Sequence, residues 1–285
     1  MEPALSSSTN RDQSDAILKL LSDDDPSIIS LVLKQLELQP SETQARIEAL
    51  LSKASGVAQR VLLNELERVR IGDPTKALQE SCKRLRTVPD FEDFCWKASL
   101  YNNPRASIYE SRQKLDLWAK RVVDELVENA GPHEQLSAIR LVLGEEEKFR
   151  GNEDNYYDPD NSFIDQVIAT HLGWPTSLTA VYILVGHRAG INVEPVCFPG
   201  HFLARIGSCY FTPFTCGADV ERSKLEETLF ESGLSTDFDV LDRTPLPLMA
   251  QRMANNLVSI YSKADDTDNL IRWQTVLNWI QELSI

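Results

Sequence analysis

From Asp15 to about Phe149 apolar residues recur at intervals of three and four between polar turns, the period of consecutive amphipathic helices. Asp25-Pro26 sets a capping side chain before a proline at the first helical position, and Ile28, Ile29, Val32, Leu33 and Leu36 then supply one apolar stripe. Ser41 with Gln44, Asp73-Pro74 and Gly131-Pro132 mark three further starts by the same logic. The pattern over Tyr109 to Ala130 predicts a long helix with Leu115, Trp118, Val122 and Leu126 on one face, a stripe whose ordinary use is core packing.

After Phe149 the character changes. GNEDNYYDPDNS is rich in turn formers, a helix is expected from Phe163, and a second from Pro175 to about Ala189. VEPVCFPGHFLARIGSCYFTPF then alternates and is β-branched or aromatic, which predicts two antiparallel strands about a Gly207-Ser208 turn. From Pro245 two helices flank a DDTD turn, with Met249, Met253, Leu257 and Ile260 striping the first and Leu270, Trp273, Val276, Leu277 and Ile280 the second. Helices followed by a small antiparallel sheet make the expected fold class α+β. The expected organisation is a disordered tail over 1–14, a helical domain over 15–148, a core over 149–244 and a helical pair over 245–285.

The 285 residues suit one or two domains, and 42% hydrophobic with 25% charged residues is ordinary globular composition. A net charge of −14 repels phosphate backbones and anionic lipid, so neither nucleic acid nor a membrane is an expected partner. Cys82, Cys95, Cys197, Cys209 and Cys216 are odd in number and contain no C-x-x-C pair, which fits a reducing compartment, the cytoplasm. The first residues lack the basic and apolar regions of a signal peptide, and no apolar run approaches the roughly 20 residues of a membrane span. There is no H-E-x-x-H, phosphate loop or calcium loop, and His133, His171, His187 and His201 are dispersed, so no metal and no cofactor is expected.

Three motifs stand in order: F-x-G-N-x-x-x-Y-Y-D-P-x-N-S-F from Phe149, G-W-P-T-S-L from Gly173, and F-P-G-H-F-L-x-R from Phe198. Together they resemble the SirB-type regulator family, whose central module is a transglutaminase-like, papain-related core also found in some eukaryotic F-box proteins. The flanking helices resemble that family's layout, with a tetratricopeptide-like tail. LLSDDDPSIISLVLKQLE also resembles one HEAT-type unit, too few for a solenoid.

The resemblance implies a cysteine at the start of a helix, a histidine on a strand and an acid on the next strand. The helix dipole and imidazole would favour the thiolate, and the acid would orient the imidazole. Aligned on Gly173 and Gly190, the cysteine position is Pro175, which cannot attack anything. Ser177 lies two residues along, about 200° around the helix, where a hydroxyl serves as a helix-start group. His201 matches the family's histidine, and Thr212 stands where the family has its acid, with Asp219 a few residues on. Restoring both groups as Pro175→Cys with Thr212→Asp is expected to bring His201 within reach of a thiol. Cys197 is expected to share His201's strand and face about 13 Å away, as core. A polar binding groove is expected from Asn152, Tyr156, Tyr157, Asp158, Asn161 and Ser162, although Ser162 with Asp165 also forms a capping-box pattern. Two functions follow. One is a degenerate core that binds a protein or peptide in a regulatory role; the other is a weak hydrolase or acyl-transfer enzyme using Ser177 and His201.

Overall fold

A computed structural model describes residues 15–23, 25–37, 40–231 and 244–282, in which the chain divides into two compact units, residues 1–73 with 107–110 and residues 74–106 with 111–285. The tail before Asp15, the Ser41–Gln44 cap and the Leu36 side chain lie outside what is described.

In the first unit the apolar spacing produces α1 (residues 15–21), α2 (Pro26–Glu37), α3 (Pro40–Leu51) and α4 (Gly56–Ile71). Leu21, Val32, Ile47, Leu50, Ala58, Leu62 and Leu66 close on one another as its core. Ala58, Leu62 and Leu66 recur at four, one face of α4.

The second unit continues with α5 (Pro74–Cys82), α6 (Val88–Asn102), α7 (Ile108–Glu125, whose residues 108–110 count with the first unit) and α8 (Pro132–Ile139), the last running into a π-helical turn, Arg140–Glu146. Thr87 and Asp90 cap α6 reciprocally: Thr87 Oγ1 accepts from the Asp90 amide and Asp90 Oδ2 from the Thr87 amide. Leu115, Trp118 and Val122 are buried as expected, but α7 ends five residues before Ala130. Short turn bonds Leu126 to Val123 and Ala130 to Val127 replace it, and Asn129 adopts a left-handed φ of 58°.

Beyond it come β1 (Arg150–Gly151), α9 (Ile164–Thr170), β2 (Leu172–Gly173) and α10 (Pro175–Arg188). β1 and β2 form a short parallel pair. The alternating stretch is an antiparallel meander of four strands, β3 (Glu194–Phe198), β4 (His201–Ile206), β5 (Cys209–Thr212) and β6 (Ala218–Val220), in that order. The expected single strand before Gly207 is therefore two: Pro199-Gly200 turns the chain, Gly200 at a φ of +75°, and Phe198 pairs with His201. α11 (Arg222–Glu231), α12 (Leu246–Lys263) and α13 (Thr267–Gln281) complete the unit. The architecture is α+β, largely helical with one small antiparallel sheet.

The register assigns the sheet's two faces. Val196, Phe198, Leu203 and Tyr210 share one face and pack with Leu225 and Leu229 of α11. Ala204 and Phe211 share the other, where Tyr182 of α10 meets Phe211 with ring centroids 5.6 Å apart. Each face thus has its own helix.

Candidate functional site

The start of α10 is where the superfamily resemblance places a nucleophile. Trp174 occupies the cap position in an extended conformation (φ −81°, ψ 161°) and Pro175 the first helical position. There proline's fixed φ suits the helix and its absent amide hydrogen is no loss. Ser177, two positions on, is fully buried. Its hydroxyl donates to the Asn161 carbonyl and accepts from the Trp174 amide at 3.0 Å. Both lone-pair and proton functions are spent on backbone. The next side chain inward, Thr176, accepts from Asn256 of α12 at 3.2 Å.

The 152–161 loop is tied to this helix start. Asn152 Nδ2 donates to Asn161 Oδ1 at 2.9 Å, Asn161 Nδ2 donates to the Asn155 carbonyl at 2.7 Å, and the Trp174 amide reaches the Asn161 carbonyl at 3.1 Å. Asp158 accepts from the Asp160 amide at 3.0 Å. Of the six groove residues, Asn152, Asn161 and Asp158 therefore build the loop by closing its backbone. Tyr156 is half-buried and stacks on Trp174 with centroids 4.8 Å apart, whereas Tyr157 and Asp158 are exposed. Ser162 is buried, and its hydroxyl has no hydrogen-bond partner among the described residues. The expected Ser162 and Asp165 capping box is not formed, because the cap of α9 is Phe163, one residue later. Packing Phe163 against Trp273, centroids 5.5 Å apart, sets that start in place of the local polar pattern.

His201 opens β4 and is exposed. Pairing with Phe198 puts it on the α11 face of the sheet, opposite the face on which α10 lies. Thr212 ends β5 two positions from Tyr210 on that same face, so Thr212 and His201 share a side. Asp219 pairs with Phe211 on the other side and is held by Arg140 Nη1 at 2.6 Å. The structure thus brings Ser177, Asn152, Tyr156 and Asn161 together and sets His201 and Thr212 apart from them. α10 packs on the face opposite the one that carries His201, an arrangement that speaks against the expectation of a thiol at Pro175 within its reach. Cys197 is corrected too: it lies on β3, is exposed, and pairs with Phe202 on the face opposite His201. The two-residue turn after Phe198 is the reason.

Sequence reasoning missed the aromatic cluster that fills the helix start. Trp174, Tyr156 and Tyr157 pack on one another, and the Phe214 ring stands edge-on to Tyr156 at 6.2 Å. Gly151 makes room for it, since a Cβ there would lie 2.1 Å from the Phe214 ring. The glycine of the F-x-G-N motif was the available signal; Phe214 is too distant in sequence to pair with it by pattern. Beside this contact runs a cleft of about 260 Å³ lined by Arg150, Asn152, Glu153, Asp154, Thr215 and Cys216 among others. The Asp160 carboxyl on the same loop is pushed above the ordinary carboxylate range by burial and by Asp158 and Asp165. No group of three or more His, Cys, Asp or Glu residues able to hold a metal occurs among the described residues, and no helix there is long and apolar enough to cross a membrane.

Comparison with known proteins places these features. Residues 109–255, just over half of the chain, match the model of the transglutaminase-like superfamily. A UPF0162 protein of Xylella fastidiosa strain Temecula1 is 33% identical over 148 residues, 48% of this chain and 53% of that one. A UPF0162 protein of Vibrio cholerae is 27% identical over 117 residues, 39% of this chain and 43% of that one. F-box only protein 21 of Mus musculus is 41% identical over 70 residues, 25% of this chain and 11% of that one. The chain thus spans about half the length, or less, of the curated relatives it matches. No solved structure matches. With a family match over the α7 to α12 region and a helix-against-sheet core to go with it, the chain belongs to the transglutaminase-like superfamily.

Proposed function

We propose that this protein is a SirB-type, cytoplasmic regulator whose transglutaminase-like core, residues 149–244, has given up catalysis and binds a protein or peptide, with a helical domain before it and a tetratricopeptide-like pair after it. One observation carries the reading: at the start of α10 proline stands where the resemblance puts the nucleophile, and the hydroxyl of Ser177, the candidate substitute, is fully buried with its proton donated to the Asn161 carbonyl. General-base catalysis contributes about 10² to 10⁴-fold only when base and nucleophile are within hydrogen-bond reach. His201 on the α11 face does not supply that reach. What is left is a loop with an exposed tyrosine and carboxylates on an acidic body, a surface suited to a basic or neutral peptide.

The test has two arms on the full chain. A panel of amide, ester and glutamine-donor substrates is expected to give no turnover that differs between wild type and His201→Ala. A peptide library is expected to yield binders that His201→Ala retains and that Asp158→Asn with Tyr157→Ala loses. Turnover abolished by His201→Ala would refute the binding reading and favour an enzyme.

A further inference from the structure

Residues 153–160 carry Glu153, Asp154, Asp158 and Asp160 and no lysine or arginine. Within them Tyr157 leaves 56% of its surface open. A cation from elsewhere in the unit already sits on it: Lys263 Nζ, at the last residue of α12, is 4.2 Å from the Tyr157 ring centroid. The negative face of an aromatic ring attracts an ammonium in this position. Tyr156, 5.3 Å away edge-on, and Trp174, 6.5 Å away, hold the orientation of that ring.

The surroundings carry more negative charge than they neutralise. Burial and the charges of Asp158 and Asp165 all disfavour the Asp160 carboxylate. An exposed aromatic face beside a run of carboxylates suits a cation. Lys263 is exposed on a flexible four-carbon stem, so it can leave the ring without any movement of α12.

We propose that the Tyr157 face, flanked by Asp158 and Asp160, is the subsite for a lysine or arginine side chain of the bound peptide, and that Lys263 is its resident competitor. This rests on the peptide-binding reading above and names the partner's chemistry: a basic segment, whose cation displaces Lys263 into solvent. The protein's net charge of −14 speeds the encounter, and the ring selects the side chain.

The experiment measures fluorescence anisotropy of a labelled peptide of alternating glycine and lysine, with a glycine-serine peptide of equal length as the neutral probe, near physiological salt. The full chain should bind the lysine peptide in preference to the neutral one. Lys263→Ala should tighten binding about two- to five-fold, the range of an exposed cation–π contact, beyond the change from Lys120→Ala, an equal change of charge on α7. Tyr157→Leu should weaken binding by a similar factor and cancel the gain from Lys263→Ala, while Tyr157→Phe, which keeps the ring, should preserve it. Equal effects of Lys263→Ala and Lys120→Ala, or an undiminished gain in the Tyr157→Leu background, overturn the competitor. Tyrosine-dependent binding of the neutral peptide with no preference for lysine overturns the cation subsite and leaves peptide binding standing. Failure of every variant and wild type to bind either peptide overturns both.

Discussion

Replacing Ser177 by alanine separates a structural hydroxyl from a catalytic one. The substitution deletes the donor to the Asn161 carbonyl and the acceptor of the Trp174 amide, inside a site with no solvent exposure. Neither backbone group is stranded, because the Trp174 amide also bonds the Asn161 carbonyl at 3.1 Å. The cost is therefore that of a lost helix-start side chain, about 1 kcal/mol, and not the larger penalty of an orphaned buried polar group. In a unit of this size that is a fall of about 2–4 °C in melting temperature. Urea unfolding followed by tryptophan emission is the assay, since Trp96, Trp118, Trp174, Trp273 and Trp279 all belong to the second unit and report it alone. The midpoint should fall with an unchanged denaturant slope. A variant as stable as wild type, to within a few tenths of a kcal/mol, would refute the assignment of Ser177 to the helix start.

Three further outcomes follow from contacts already described. Gly151→Ala should destabilise the second unit by about 1–3 kcal/mol by driving a methyl into the Phe214 ring, and Phe214→Ala in the same chain should recover part of the loss in the same unfolding assay. Burial pushes the Glu92 carboxyl up, but hydrogen bonds from Arg188 at 2.6 Å and Trp96 at 2.9 Å, with the Arg188 charge, outweigh it and leave the group below its ordinary value of 4.5. A depressed carboxyl contributes stability above its unfolded value and loses it as pH falls through the folded one, so Glu92→Gln should be destabilised at pH 7, with the deficit shrinking below about pH 4.5 in urea titrations across pH. Pro175→Cys should alkylate with iodoacetamide at a rate that His201→Ala does not change; a rate that drops with His201→Ala would contradict the placement of His201 on the α11 face.

Local chemistry was legible in the sequence wherever the structure is locally determined. Pro175 after Trp174 marks a helix start because φ and the missing amide are properties of the residue itself, and α10 begins there. The stripes of α12 and of the buried face of α7 followed for the same reason, since a period of 3.6 is written in neighbouring residues. Pro199-Gly200 was submerged in an otherwise continuous alternation, and the error was not small. A tight turn changes the parity of the alternation, so Cys197 and His201, on one face of an unbroken strand, fall on opposite faces of a hairpin. The capping pattern at Ser162 and Asp165 failed differently, since its chemistry is sound but a buried Phe163 decides where α9 begins. The ring of Phe214 over Gly151 and the ammonium of Lys263 over Tyr157 join residues 63 and 106 positions apart, a distance over which periodicity carries no information.

The way α13 is anchored bears on how the molecule can be cut. Trp273 is buried edge-on against Tyr101 of α6 with centroids 5.8 Å apart, and Arg272 lies over that same Tyr101 ring at 4.4 Å. Trp273 also packs on Phe163, and Asn256 of α12 holds Thr176 in the first turn of α10. The last two helices are thus masonry in the wall behind the helix start, joined to Tyr101, Phe163 and Thr176. A fragment ending near residue 244 would uncover Phe163 and Tyr101 and leave a void the size of an indole, a loss of about 3–5 kcal/mol from Trp273 alone. Proteolysis between α11 and α12 should therefore yield two pieces that stay associated, a nicked body in place of a released tail.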